Sequence, residues 1–203
     1  MTASISLSLP SVLRLPSIQV FTDYTVNAPS ADRYYAELET QATGEILRLS
    51  ISSWQATIQL DRADFLQVVV PGLSDDLMQQ VLAQIDLGDQ HLSVYRKAGN
   101  ILRRMVRVDL DAWYQNEGPR RATLTLSGYG RDVIYEVPLS SRNVTGVRTL
   151  MQSSRGSSVR CNIDWLLEPG MEAVLPSGAI IQVSYINYYV SISEAWMQIG
   201  ERD

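Results

Sequence analysis

The sequence predicts a mainly β protein, one or two antiparallel β-barrels carrying a single amphipathic helix. Three observations predict it. Apolar residues alternate with polar ones through most of the chain after residue 44, one isolated segment has helical periodicity instead, and the alternation changes phase inside a strand. The phase change falls in "SISSWQATIQL", residues 50–60: Leu47, Leu49 and Ile51 are apolar at odd positions, and Trp54, Ala56, Ile58 and Leu60 at even ones. One extra residue at Ser52-Ser53 restores the alternation. A β-bulge supplies that residue, bending the strand as a sheet bends when it curls into a barrel.

The first 44 residues, with Pro10, Pro16, Pro29 and many serines, read as an extended arm or edge strand with one strand at 17–23, and "ADRYYAELET" reads as a short helix or, in preference, a strand leading into the next element. A β-barrel unit is expected over 45–139, with its helix at 74–87. Ser74 is the N-cap, Asp75 and Asp76 suit the positive end of the helix dipole, and Gly88 follows the end. Leu77, Met78, Val81, Leu82 and Ile85 form its apolar stripe, which lies against a sheet.

After the helix, "HLSVYRKAGN" and the long segment 101–114 read as strands joined at Gly99-Asn100. In strict alternation Leu102, Val106, Val108, Leu110, Ala112 and Tyr114 share one face, and Arg103, Met105, Arg107, Asp109 and Asp111 the other. "RRATLTLSGYG" completes an antiparallel meander with one wet face. The Ser- and Arg-rich stretch 140–158 is expected as a linker or long loop. Residues 159–203 hold a strand, a turn at "EPGM" and a hairpin region that completes the barrel or forms a second one; a phase slip at Tyr185-Ile186 predicts a bend or tight turn near Asn187.

The chain has 203 residues and a formal net charge of -5, which argues against a nucleic-acid-binding module, since phosphate contacts need clustered cations. Lys97 is its only lysine. Codon bias accounts for that, as does the fitness of arginine's planar fork for ion pairs between subunits. The one cysteine, Cys161, excludes an intrachain disulfide and reads as a small buried hydrophobe. With no signal-peptide pattern and no apolar run approaching the roughly 20 residues of a membrane span, folding in a cytoplasm without membrane insertion is expected.

No catalytic, metal or cofactor site is expected. His91 has no nucleophile motif near it, and "DRAD", "SDD" and "DLDAW" lack ligand spacing. Asp61 with Asp64, or Asp109 with Asp111, are surface charges before they are a glycosidase pair. "GYG" at 128–130 lacks the lysine and helix of a phosphate loop, and the basic run of Arg103, Arg104 and Arg107 is split between two faces. Aromatic residues stand out: four tryptophans and ten tyrosines against two phenylalanines. Trp54 and Trp165 read as core. Trp113, Tyr188, Tyr189 and Trp196 read as interface aromatics, because amphipathic rings beside arginines are typical of protein contacts.

The segments "SISSWQATIQLDRADFLQVVVPG", "LSVYRKAG", "VRVDLDAWYQNEGPRRATLTLSGYG", "CNIDWLLEPGMEAV" and "YINYYVSISEAWMQIGER" resemble, in order and spacing, small tail proteins of long-tailed bacteriophages, nearest to those of transposable siphophages. The resemblance spans about residues 45–203. It implies tail-tube-like barrels and a virion structural protein of the tail tip or baseplate, of hub or distal-tail type. It also implies partners: further copies in a trimer or hexamer, neighbouring tube, hub and baseplate proteins, and DNA only in passing through a central channel. The expected location is the virion tail, after synthesis in the host cytoplasm. Arg103, Arg107, Asp109 and Asp111 are the candidate channel wall or subunit interface. The alternative function is a carbohydrate-binding, receptor-recognising module in which Trp113 or Trp196 stacks on sugar rings.

Overall fold

The computed structural model describes residues 33–117, 122–130, 140–153 and 156–201. In chain order the elements are β1 (Arg33–Thr40), β2 (Ile46–Ser50), β3 (Ser53–Gln59), β4 (Asp64–Leu73), helix α1 (Asp75–Asp86), β5 (Gln90–Ala98), β6 (Ile101–Glu117), β7 (Ala122–Gly130), β8 (Ser141–Asn143), β9 (Thr149–Ser153), β10 (Gly156–Cys161), β11 (Glu172–Val174), β12 (Ile180–Gln182), β13 (Tyr185–Ser191) and β14 (Ala195–Gly200). Eleven strands form one sheet, in the order β2-β1-β5-β6-β7-β4-β3-β13-β14-β10-β9, and β12-β11-β8 form a second. The strand expected at 17–23 lies outside the described residues.

The phase change in "SISSWQATIQL" is the hinge of this architecture. Leu47, Leu49 and Ile51 are buried before it and Trp54, Ala56 and Ile58 after it. Between them the Ser52 amide donates to the Val69 carbonyl at 2.9 Å, and the Ser52 hydroxyl donates to the same oxygen at 3.3 Å. The half before the bend pairs with β1 and the half after it with β4. β2 and β3 are therefore consecutive in the chain yet stand at opposite ends of the run β2-β1-β5-β6-β7-β4-β3, so the run must roll up on itself. Paired neighbours lead from Arg103 to Arg96 and Tyr34. Tyr34 meets Trp54 across the seam, with ring centroids 5.8 Å apart, and Trp54 leads through Val68 and Leu126 back to β6 at Trp113. Return to the same strand at a displaced residue is the stagger of a barrel.

The barrel is filled. Ala36, Leu38, Leu66, Val68, Leu92, Val94, Leu124 and Leu126 expose no surface, and each large side chain among them contributes roughly 1.5–3 kcal/mol. Helix α1 joins β4 to β5, which are separated in the sheet by β6 and β7. Ser74 caps it, accepting from the Leu77 amide at 3.4 Å, and Leu77, Met78 and Val81 face the core as the stripe predicts. The stripe also contains a buried polar residue, Gln84. Its amide donates to Thr40 Oγ1 at 3.0 Å and to the Glu45 carbonyl at 3.2 Å. Gln90 Nε2 donates to the Gln84 carbonyl at 2.8 Å, and Thr40 Oγ1 donates to Gln90 Oε1 at 3.0 Å. This network ties the helix to the β1–β2 turn and to β5.

β3 also pairs with β13, so one bent strand serves both the barrel and a second lobe. That lobe buries Val159, Cys161, Leu167, Val183, Ile186, Met197 and Ile199. The stretch 140–158, read as a linker, instead carries β8, β9 and the start of β10: Ser140 accepts from the Glu172 amide, and the Arg148 amide donates to Arg160, so its backbone is used in ladders. β1, read as part of the arm, lies inside the sheet between β2 and β5. The second phase slip corresponds to the break at Val183-Ser184 between β12 and β13. Asn187 is in mid-strand, and the hairpin turn falls at 192–194.

The long strand β6 departs most from strict alternation. Register shifts occur between its partners Val94 and Tyr95, at Met105, and again between Leu110 and Ala112, at Asp111. Each adds a residue and flips the following side chains. Arg103 consequently lies on the opposite face from Arg107 and Asp109, and Asp111 sits in a bulge. The four residues read as one face do not share one.

Three outcomes are expected. Gln84→Ala removes the helix's polar anchor and leaves Thr40 short of a donor, lowering stability in urea titration by about 1–3 kcal/mol. Gly128→Ala drives a Cβ into the Asp109 carbonyl oxygen, against backbone that cannot swing aside, and destabilises by about 3 kcal/mol or more in the same assay. The thiol of Cys161 is buried, which pushes its pKa up to about 11, with Asp164 adding to the rise. A thiol-specific reagent at pH 8 should leave it unmodified in folded protein and modify it once denatured, since the thiolate is the reactive form.

Candidate functional site

The barrel's outer face is polar, aromatic and paired with itself. Arg48 donates to Glu37 at 2.7 Å, Arg107 lies 3.2 Å from Glu39, and His91 Nδ1 lies 2.7 Å from Asp109. Tyr35 and Tyr95 stack across β1 and β5 at 5.3 Å and 9°, with the Arg48 guanidinium over Tyr35. Burial, followed by the nearby Glu37 carboxylate, raises the pKa of both phenols, which stay neutral. Alternating charges that meet across strands stabilise one another modestly and leave little net field.

At the junction of barrel and second lobe, four rings from separate elements meet: Tyr34, Trp54, Trp165 and Tyr188. Trp165 stacks on Tyr188 at 5.4 Å and on Trp54 at 6.3 Å. Trp54 and Tyr188 are buried, and burial lifts the Tyr188 hydroxyl far above its ordinary pKa. Tyr188 is therefore a core residue. It was read as an interface aromatic because the local run "NYYV" does not reveal which tyrosine faces inward.

A groove of about 530 Å³ opens beside this cluster, lined by Arg96, Ile101, Arg103, Ile163, Trp165 and Leu166. Arg96 lies over the Trp165 ring at 5.1 Å, and Arg103 donates to the Trp165 carbonyl at 2.7 Å and stands 3.6 Å from Glu168. Arg142 holds Asp164 through two bonds, at 2.6 and 3.2 Å. Sequence reasoning missed this groove. The bulge at Met105 turns Arg103 toward it, and β6 gives no signal of that bulge beyond a polar residue out of place.

The remaining candidates are scattered. Tyr189 and Trp196 stack at 5.2 Å on neighbouring strands, and Arg160 lies 4.0 Å from the Trp196 centroid on the other side, so both flanks of that indole are occupied. Trp113 and Tyr114 are 44% and 66% exposed on the part of β6 that runs past the start of β5. Asp64 is buried and accepts from the Gln59 amide at 3.0 Å, holding the β3–β4 turn. Among the described residues no cluster of three His, Cys, Asp or Glu has metal-binding geometry, and no helix is long and apolar enough to cross a membrane.

No protein-family model matches the chain, and no curated protein matches it in sequence. Its fold is similar to that of solved tail proteins. One is a tail protein from Neisseria meningitidis MC58, with a TM-score of 0.52 at 7% identity, covering 84% of this chain and 96% of the other. Another is the 43 kDa tail protein of prophage MuSo2 from Shewanella oneidensis, with a TM-score of 0.52 at 6% identity, covering 82% of this chain and 97% of the other. At these identities the likeness is one of fold.

Proposed function

We propose that the protein is a structural component of a bacteriophage tail, a ring subunit of the tail tip or baseplate that surrounds the DNA channel and joins the tube to the tip. The observation that carries this reading is fold similarity to two tail proteins over more than four fifths of the chain, in both lobes together. The physical character of the surface supports it. Arg48 with Glu37 and Arg107 with Glu39 compensate one another on the outer face. A wall of that kind lets a polyanion slide, because cations already opposed by carboxylates release few counterions on contact. Exposed Trp113, Tyr114, Leu150 and Met151 supply contact area of the type protein interfaces use.

The mass of the purified protein by light scattering, with symmetry-resolved imaging of phage tails, tests this reading. Three or six copies in a ring at the tip is the expected result. A protein absent from tails, whatever its mass in solution, would sink the proposal.

A further inference from the structure

We propose that the overhanging part of β6 in one copy seats in the groove at Trp165 of the next, making a head-to-tail contact between identical chains. This rests on the self-assembly reading above and names the surfaces that would carry it. Among the described residues, β6 from Asp111 onward has no partner on the β5 side, where the last pair is His91 with Asp109, and is paired with β7. On this one-sided ribbon Trp113 and Tyr114, adjacent in sequence, project from opposite faces, and Asp111 stands exposed in its bulge. A ribbon with an aromatic ring on each face is covered by a cleft, whereas a flat surface would cover only one ring.

The groove is a cleft of matching character. Ile101 and Leu166, 70% and 56% exposed, form its apolar lips, and the Arg96 and Arg103 guanidiniums lie within it. Apolar lips suit aromatic anchors, and arginine beside an aromatic ring and a carboxylate such as Asp111 is a recurrent recognition chemistry. A chain cannot fill its own groove with this ribbon. Arg103 and Trp113 lie on the same strand, and at about 3.3 Å per residue they are roughly 30 Å apart. The contact is therefore between molecules and joins two different surfaces, so it propagates until a ring closes.

The test uses full-length chains: Trp113→Glu with Tyr114→Glu on the ribbon, and Ile101→Glu with Leu166→Glu on the groove, all at exposed positions. Either variant alone should need at least about tenfold higher concentration than wild type for half-assembly in light scattering. An equimolar mixture should give a dimer of one of each, since each retains the surface the other lacks. Folding of both variants is checked by their urea midpoints. Wild-type-like assembly of the ribbon variant overturns the proposal. If the groove variant fails while the ribbon variant assembles, the groove belongs to another segment, such as the first 32 residues, which lead into β1 where Arg33 pairs with Lys97. That result too overturns it. In both cases the variants would still enter tails if the broader function holds, so the two failures are distinguishable.

Discussion

Everything in this molecule hangs on one bend. Because the chain passes from β2 to β3 through Ile51 and Ser52 without leaving the sheet, the same strand closes the barrel on one side and opens the second lobe on the other. The bend leaves little unsatisfied, since the Ser52 amide and hydroxyl both find the Val69 carbonyl. In return the apolar faces on either side of the bend point into one continuous core, which runs from Leu47 through Trp54 to Ile186 and Ile199. The ring cluster of Tyr34, Trp54, Trp165 and Tyr188 sits at this junction and fixes the angle between the two lobes by contact among rigid planes.

The bend was legible because its two flanks bury different parities of residue, and parity survives in a sequence. The helix was legible for the same reason, from its cap, its first-turn acids and its stripe. Gln84 was not, because a glutamine inside an apolar stripe looks like an error until its three acceptors, brought together by the β1–β2 turn, are seen around it. β6 was read as one alternating strand because its apolar residues after Met105 keep step. Its two bulges put Leu102 and Arg103, before Met105, and Trp113 and Tyr114, after Asp111, on faces other than strict alternation gives them, and none of these four is fully buried, so periodicity does not constrain them.

The candidate surfaces show the same division. Pairing on the outer face depends on cross-strand register, so Arg107 meets Glu39 and His91 meets Asp109 across 68 and 18 positions of the chain, information that a single chain read in order does not hold. The second lobe was the least legible part, since its strands are short and its backbone bonds run between segments far apart, such as Val144 with Val174 and Asn162 with Thr145. A Ser- and Arg-rich composition reads as loop wherever tertiary contacts alone supply the ladder.

If the proposed ring holds, the filled interior decides what kind of conduit it can make. Fully buried leucines and valines occupy the barrel's interior, so nothing passes through a single chain. Any bore has to be enclosed by several chains standing side by side, with their outer surfaces as its lining. Its diameter is then a property of copy number and of the angle between neighbours, and it can differ between assemblies of this same fold without a change of strand count.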